Sequence, residues 1–283
     1  MINRTRAILL VVGLAFLAGC GGGDRKPERK MPDSTAVAGT RQEVGSGYAV
    51  IDIPNPGRIT GMVKMKGKPS GLTDFEIPPD AAACATASKN NRLQSGAGGG
   101  IGSAVIYLDH VQRGKAFSSA EIAVDQRGCQ YTPHVVAVPI GGTVVFTNSD
   151  DVMHNVRVEN SSNDSVLLNR SQQIRGKRDS LKVMVPGPLP VGCDYHPWMN
   201  AYVFGVDNPY YAVTASDGSF SIEGIPPGTY TIRLWLNGTR IIPRKDNQGR
   251  IVRYGYSDPY TREKQIEVKA GAATGVEFEI APQ

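Results

Sequence analysis

Cys193, His196 and Met199 stand at three-residue intervals in the stretch CDYHPWM, so a thiol, an imidazole and a thioether share seven residues. All three are soft or borderline donors of the kind that bind copper. The chain has only four cysteines and four histidines, which makes one of each in so short a loop a concentrated use of metal chemistry. A further donor lies about forty residues upstream in GGTVVFTNSDDVMHNV, where His154 opens a β-rich run just after a polar turn. His154, Cys193, His196 and Met199 supply two imidazoles, one thiolate and one thioether. That is the set of a blue-copper site, with a trigonal His₂Cys plane and a weak, long axial Met. Structural zinc more often recruits a second cysteine and does not select a thioether. The cofactor implied is one copper ion, Cu(I) or Cu(II). Alone, Cys-x-x-His is common by chance, and a lone Met after it is more often core than ligand. His154 in a strand-opening position makes the pattern a site.

Such a site needs rigid strands to hold two distant segments together, and the sequence supplies them. After residue 57, Pro and Gly recur and no long stretch carries a 3.6-residue apolar period. Short β-rich runs bounded by turn residues appear instead, at 58–65, 103–111, 134–140, 142–148, 154–159, 180–185 and 201–207. A second set follows at 210–215, 219–225, 229–237, 264–270 and 275–281. Many strands without intervening helices predict an all-β protein of two sandwiches. The break between the sets places the domains at 57–207 and 208–283. The glycines of SGAGGGIG lack the spacing of a dinucleotide loop and precede a strand. No Ser/His/Asp or paired-carboxylate arrangement is recognisable, and the chain is expected not to be an enzyme.

The first nineteen residues read as a signal peptide. Arg4 and Arg6 precede the apolar run AILLVVGLAFLAG, which is shorter than the roughly 20 residues needed to cross a bilayer. Leu17-Ala18-Gly19-Cys20 resembles the bacterial lipobox, which implies lipidation of Cys20 as the mature terminus; the alternative is an ordinary signal peptide with a chance cysteine. Residues 20–56, rich in Gly, Pro and alternating charge, read as a disordered tether. The expected location is the bacterial cell envelope, with the folded part held to a membrane by lipid. Export leaves Cys84, Cys129 and Cys193, an odd number in an oxidising compartment. Cys84 and Cys129 lack histidines at ligand spacing and are paired here as a disulfide, leaving Cys193 free. The formal net charge of +5 is unclustered, which argues against a nucleic-acid partner.

Two resemblances add to this reading. Gly142, Val144, Val145 and Phe146, the Asn148-x-Asp150 turn, His154-Asn155-Val156 and Cys193-x-x-His196-x-x-Met199 resemble the cupredoxins, the plastocyanin–amicyanin family. The resemblance implies a Greek-key sandwich, copper ligation by those four residues, and a role for Asn155 in tying the two ligand loops together. It extends to envelope proteins described as methylamine-utilisation-like. Asp217, Gly218, Phe220, Pro226, Pro227, Gly228 and Tyr230 match the carboxypeptidase regulatory-like, or transthyretin-like, sandwich. Domains of that kind usually serve as spacers or adhesive modules. The expected function is transfer of single electrons to an envelope partner such as a cytochrome or dehydrogenase. Copper storage or delivery, or a plain structural lipoprotein, are the alternatives. Trp198, beside Pro197, is either core or part of a partner-docking patch; the docking role is the expectation carried forward.

Overall fold

Alternation of apolar and polar residues marks a strand but leaves its partners open, and the pairing decides the architecture here. The computed structural model describes residues 47–67, 75–88, 95–118 and 120–282. The signal peptide, Cys20 and most of the tether lie outside the described residues. One sandwich has a five-stranded sheet in the order Ser165–Gln172, His154–Asn160, Gly187–Gly192, Asn200–Val206, Val135–Pro139. A four-stranded sheet faces it in the order Arg178–Lys182, Thr143–Asn148, Ile122–Gln126, Tyr131–Thr132. Antiparallel pairs dominate, but 200–206 runs parallel to 135–139, and 122–126 parallel to 143–148. Such parallel neighbours require connections that cross between sheets, giving the Greek-key character of the sandwich. Val124, Phe146, Val156, Val158, Leu189, Val191 and Val203 fill the space between the sheets. Each such side chain contributes about 1.5–3 kcal/mol when fully buried.

The second sandwich corrects the expected domain boundary. Its sheets run Tyr211–Val213, Val105–Leu108, Gly228–Leu236, Tyr260–Val268 and Ser219–Ile225, Gly57–Met65, Ala273–Ile280. Strands 57–65 and 105–108 therefore belong with the C-terminal strands, not with the first sandwich. Ile59, Val63, Ile106 and Leu108 share one core with Ile222, Ile232, Leu234 and Phe278. Gly61 shows why the fit is specific: a Cβ there would come within 2.0 Å of the Val276 carbonyl and close to the Phe220 ring. The strands of the first sandwich are thus an insertion between 105–108 and 211–213, and no single cut at 207/208 separates the sandwiches.

Smaller differences have local causes. The predicted tether ends earlier than residue 56, because Ala49–Val50 pairs in parallel with Arg113–Gly114 and Tyr48 donates to the Lys115 carbonyl at 2.9 Å. The polar segment 160–180 contains the strand Ser165–Gln172, whose polar character suits its place at the edge of the five-stranded sheet. A hairpin that the alternation pattern does not reveal, Ile241–Lys245 with Ile251–Tyr256, forms a two-stranded sheet of its own.

Candidate metal centre

Two segments are brought to one end of the metal-site sandwich. Asn148 ends its strand by hydrogen bonding through Nδ2 to the carbonyls of Val152 and Gln172, and through Oδ1 it accepts from the Asp150 amide. This shapes the turn that delivers His154 as the first residue of the next strand. The ligand loop joins the antiparallel neighbours 187–192 and 200–206, whose last register pair is Gly192 opposite Asn200. The loop closes on itself: the Cys193 amide donates to the Met199 carbonyl at 3.3 Å, and the Met199 amide to the His196 carbonyl at 2.9 Å. Strand 187–192 also pairs with 154–160, so both segments hang from one sheet.

The donor atoms converge. His154 Nδ1 lies 3.1 Å from His196 Nδ1, which lies 3.6 Å from Cys193 Sγ. His154, Cys193 and Met199 are fully buried and His196 is 8% exposed. His154 Nε2 lies 2.8 Å from an Asp150 carboxylate oxygen. Burial works to raise the Asp150 carboxyl, but hydrogen bonds from the Cys129 amide, His154 and the Gly128 amide outweigh it and hold the group below its usual range. An ionised carboxylate only accepts, so Nε2 of His154 carries the proton and Nδ1 presents its lone pair to the cluster. Burial lowers the pKa of His154 against the opposing pull of Asp150. Burial and then the neighbouring His154 lower His196 to about 4. Burial raises the Cys193 thiol, partly offset by hydrogen bonds from the amides of Asn155, Tyr195 and His196. At neutral pH the cluster is two neutral imidazoles and a thiol, with the two Nδ1 atoms sharing one hydrogen bond and the thiol sulfur beside them. A cation that displaces the thiol proton satisfies all three, so the residues fit copper.

Neighbouring groups fix these donors. The Asn155 amide donates to Cys193 Sγ at 3.3 Å, and Asn155 Oδ1 accepts from the Asp194 amide at 3.3 Å, which links the two ligand segments. The Tyr131 hydroxyl bridges the carbonyls of Asn155 and Gly192. Sequence reasoning offered Asp150 only as part of the Asn148-x-Asp150 turn and missed its contact with His154, which its place four residues before that histidine allows. Cys84 and Cys129 are joined by a disulfide, and the Cys129 amide donates to the Asp150 carboxylate at 2.8 Å. The disulfide therefore buttresses the carboxylate behind His154. A second group of possible donors, Cys129, Asp150 and His154, loses its thiol to that bond.

Trp198 is not a docking residue. It is 2% exposed and packs within the sandwich core, its ring 5.1 Å from that of His196. A buried indole beside His196 covers that imidazole and presents no face to a partner. Pro197 is half-buried and lines one groove with the exposed side chains Tyr195 and Val252. His134 is buried with Nδ1 3.1 Å from the Asn200 carbonyl.

No protein-family model matches the chain, and no curated protein does. Among solved structures, it is similar to a copper-containing nitrite reductase from Thermus scotoductus at 22% identity, covering 33% of this chain and 24% of that one, with a TM-score of 0.29. A purple cupredoxin from Nitrosopumilus maritimus aligns at 25% identity over 30% of this chain and 99% of that one, TM-score 0.28. Amicyanin from Paracoccus versutus aligns at 18% identity over 31% and 84%, TM-score 0.29. The chain thus spans about a quarter of the nitrite reductase. The expectation that the chain is not an enzyme is corrected: one aligned structure is a reductase, so likeness to cupredoxins does not separate carriers from catalysts.

Proposed function

We propose that the chain is a copper-binding protein of the bacterial envelope that carries single electrons. His154, Cys193 and His196 hold the ion, with Met199 as the weak axial donor. The observation that carries this reading is the convergence of two imidazole Nδ1 atoms and one thiol sulfur in a single buried cluster. Copper, when bound, supplies a one-electron change between Cu(I) and Cu(II). The protein's contribution is to keep its donors still. Asp150 fixes the tautomer and orientation of His154, Asn155 ties the two ligand segments, and Trp198 packs over His196 to exclude water. His196 lines a groove of about 840 Å³ together with Tyr195, Pro197 and Val252, so its ring is where an envelope cytochrome or dehydrogenase would couple. Cys20 would bear the lipid that holds the protein at a membrane.

The near-complete burial of His196 favours one second reading, a copper store or donor in which electron exchange is incidental. Met199→Gln tests the axial donor in either. A harder oxygen donor stabilises Cu(II) relative to Cu(I), and a tenfold shift in that preference lowers a one-electron potential by about 59 mV. For a carrier, redox titration of Met199→Gln should show retained copper, retained colour and a potential lower by at least about that amount. A store would show the same shift, since weaker Cu(I) binding lowers the potential by the same cycle, and is told apart by failing to exchange electrons with a redox protein while its copper stays bound. An unchanged potential would remove Met199 from the ligand set.

A further inference from the structure

The hairpin 241–256 leaves the second sandwich and lies against the ligand loop of the first. An isolated two-stranded hairpin is marginal in water, so this one must gain its order from what it touches. Its apolar side chains Ile241 and Tyr254 pack on the core cluster of the metal-site sandwich. Its turn is rigid, since the Asp246 carboxylate accepts from the amides of Gln248 and Arg250 and from the Arg250 side chain. Its polar contacts fall on the loop in a regular way. Arg253 Nη2 donates to Asp194 at 2.9 Å, the Tyr254 amide to the Pro197 carbonyl at 3.0 Å, and the Tyr256 hydroxyl to Asn200 Oδ1 at 2.7 Å. Asp194, Pro197 and Asn200 are the residues that immediately follow Cys193, His196 and Met199. Every ligand of the loop is thus held through its next neighbour.

Arg253 adds a second hold. Its Nη1 donates to Glu159 at 2.9 Å, on the strand that begins with His154, and its side chain lies over Gly192, where a Cβ would meet Nε at 3.2 Å. One guanidinium therefore joins both ligand segments from outside, with the planar fork that lysine lacks. We propose that this hairpin is a clamp on the ligand loop: the second sandwich is not a spacer but fixes the copper donors, with Arg253 and Tyr256 as positioning residues. The proposal rests on the copper reading above. A loop pinned at three points cannot spread when its ion is absent or changes charge, so the clamp slows metal loss and keeps the donor geometry the same in both oxidation states.

The test uses the full chain with Tyr256→Phe, which removes one hydroxyl, and Arg253→Lys, which keeps the charge but not the fork. Arg244→Ala, exposed on the same hairpin, is the control. In the metal-free protein, amide exchange at Tyr195, His196, Trp198 and Met199 should quicken roughly fivefold in each variant and stay unchanged in the control. In the copper-loaded protein, release to a chelator should quicken by a similar factor and the visible band should shift or broaden. Unchanged exchange and unchanged release in both variants would overturn the clamp. A wild type that takes up no copper would instead end the copper reading, while the metal-free exchange still decides whether the hairpin holds the loop. Should Arg253→Lys fail to fold, Tyr256→Phe alone decides between the two outcomes.

Discussion

Cys193→Ser should lower copper affinity by more than about a hundredfold, since even the loss of a group that merely orients a ligand costs ten- to a hundredfold. The same substitution should change the pH dependence. Burial raises the Cys193 thiol above its ordinary value, while both histidines are lowered and already neutral. Near neutral pH, binding must therefore expel one proton, and only from sulfur. Wild-type affinity should then rise about tenfold for each unit of pH between roughly 7 and 8, and Cys193→Ser should flatten that dependence. Competition against a chelator of known affinity at several pH values measures both effects. A flat wild-type profile would mean that the thiolate forms before the ion arrives. A variant that binds as tightly as the wild type would remove Cys193 from the site.

Removing the Cys84–Cys129 disulfide should cost about 4 kcal/mol, the loop-entropy expectation for a bridge closing a segment of 45 residues. The effect should also reach the ligands. The Cys129 amide, in a left-handed conformation at φ 56°, supports the carboxylate that holds His154. The double variant Cys84→Ser, Cys129→Ser should therefore lower the urea midpoint and loosen copper. In the denatured but unreduced wild type, Cys193 should be the one thiol of the described residues that an alkylating reagent labels, because Cys84 and Cys129 stay bonded and Cys193 is buried until the chain unfolds. A loss under about 1 kcal/mol would show that the segment 75–88 is held by packing alone.

The convergence of His154, Cys193 and His196 was legible because its signal is local. Cys193, His196 and Met199 lie within seven residues of chain, and His154 opens a strand after a recognisable polar turn. Most strands were legible for the same reason, since alternation is read within five or six residues. What the sequence hid is what depends on distant partners. The run RITGMVKM looks like any strand, and only its pairing with 219–225 and 273–280 assigns it to the second sandwich. Trp198 was misplaced because an aromatic beside a ligand suits either docking or shielding, and burial alone separates the two. Asp150 lay in plain view as a turn residue; its role exists only because the fold sets its carboxylate against His154 Nε2. The hairpin 241–256 was passed over because its alternation is weak: it contributes a few apolar side chains to a core formed by other strands.

The visible absorption spectrum of the copper-loaded chain tests the central claim most directly. Cys193 Sγ and both imidazoles lie in one buried cluster, and a Cu(II)–thiolate bond there predicts an intense charge-transfer band that disappears on reduction and returns on reoxidation. A colourless protein that holds zinc in preference to copper would contradict it.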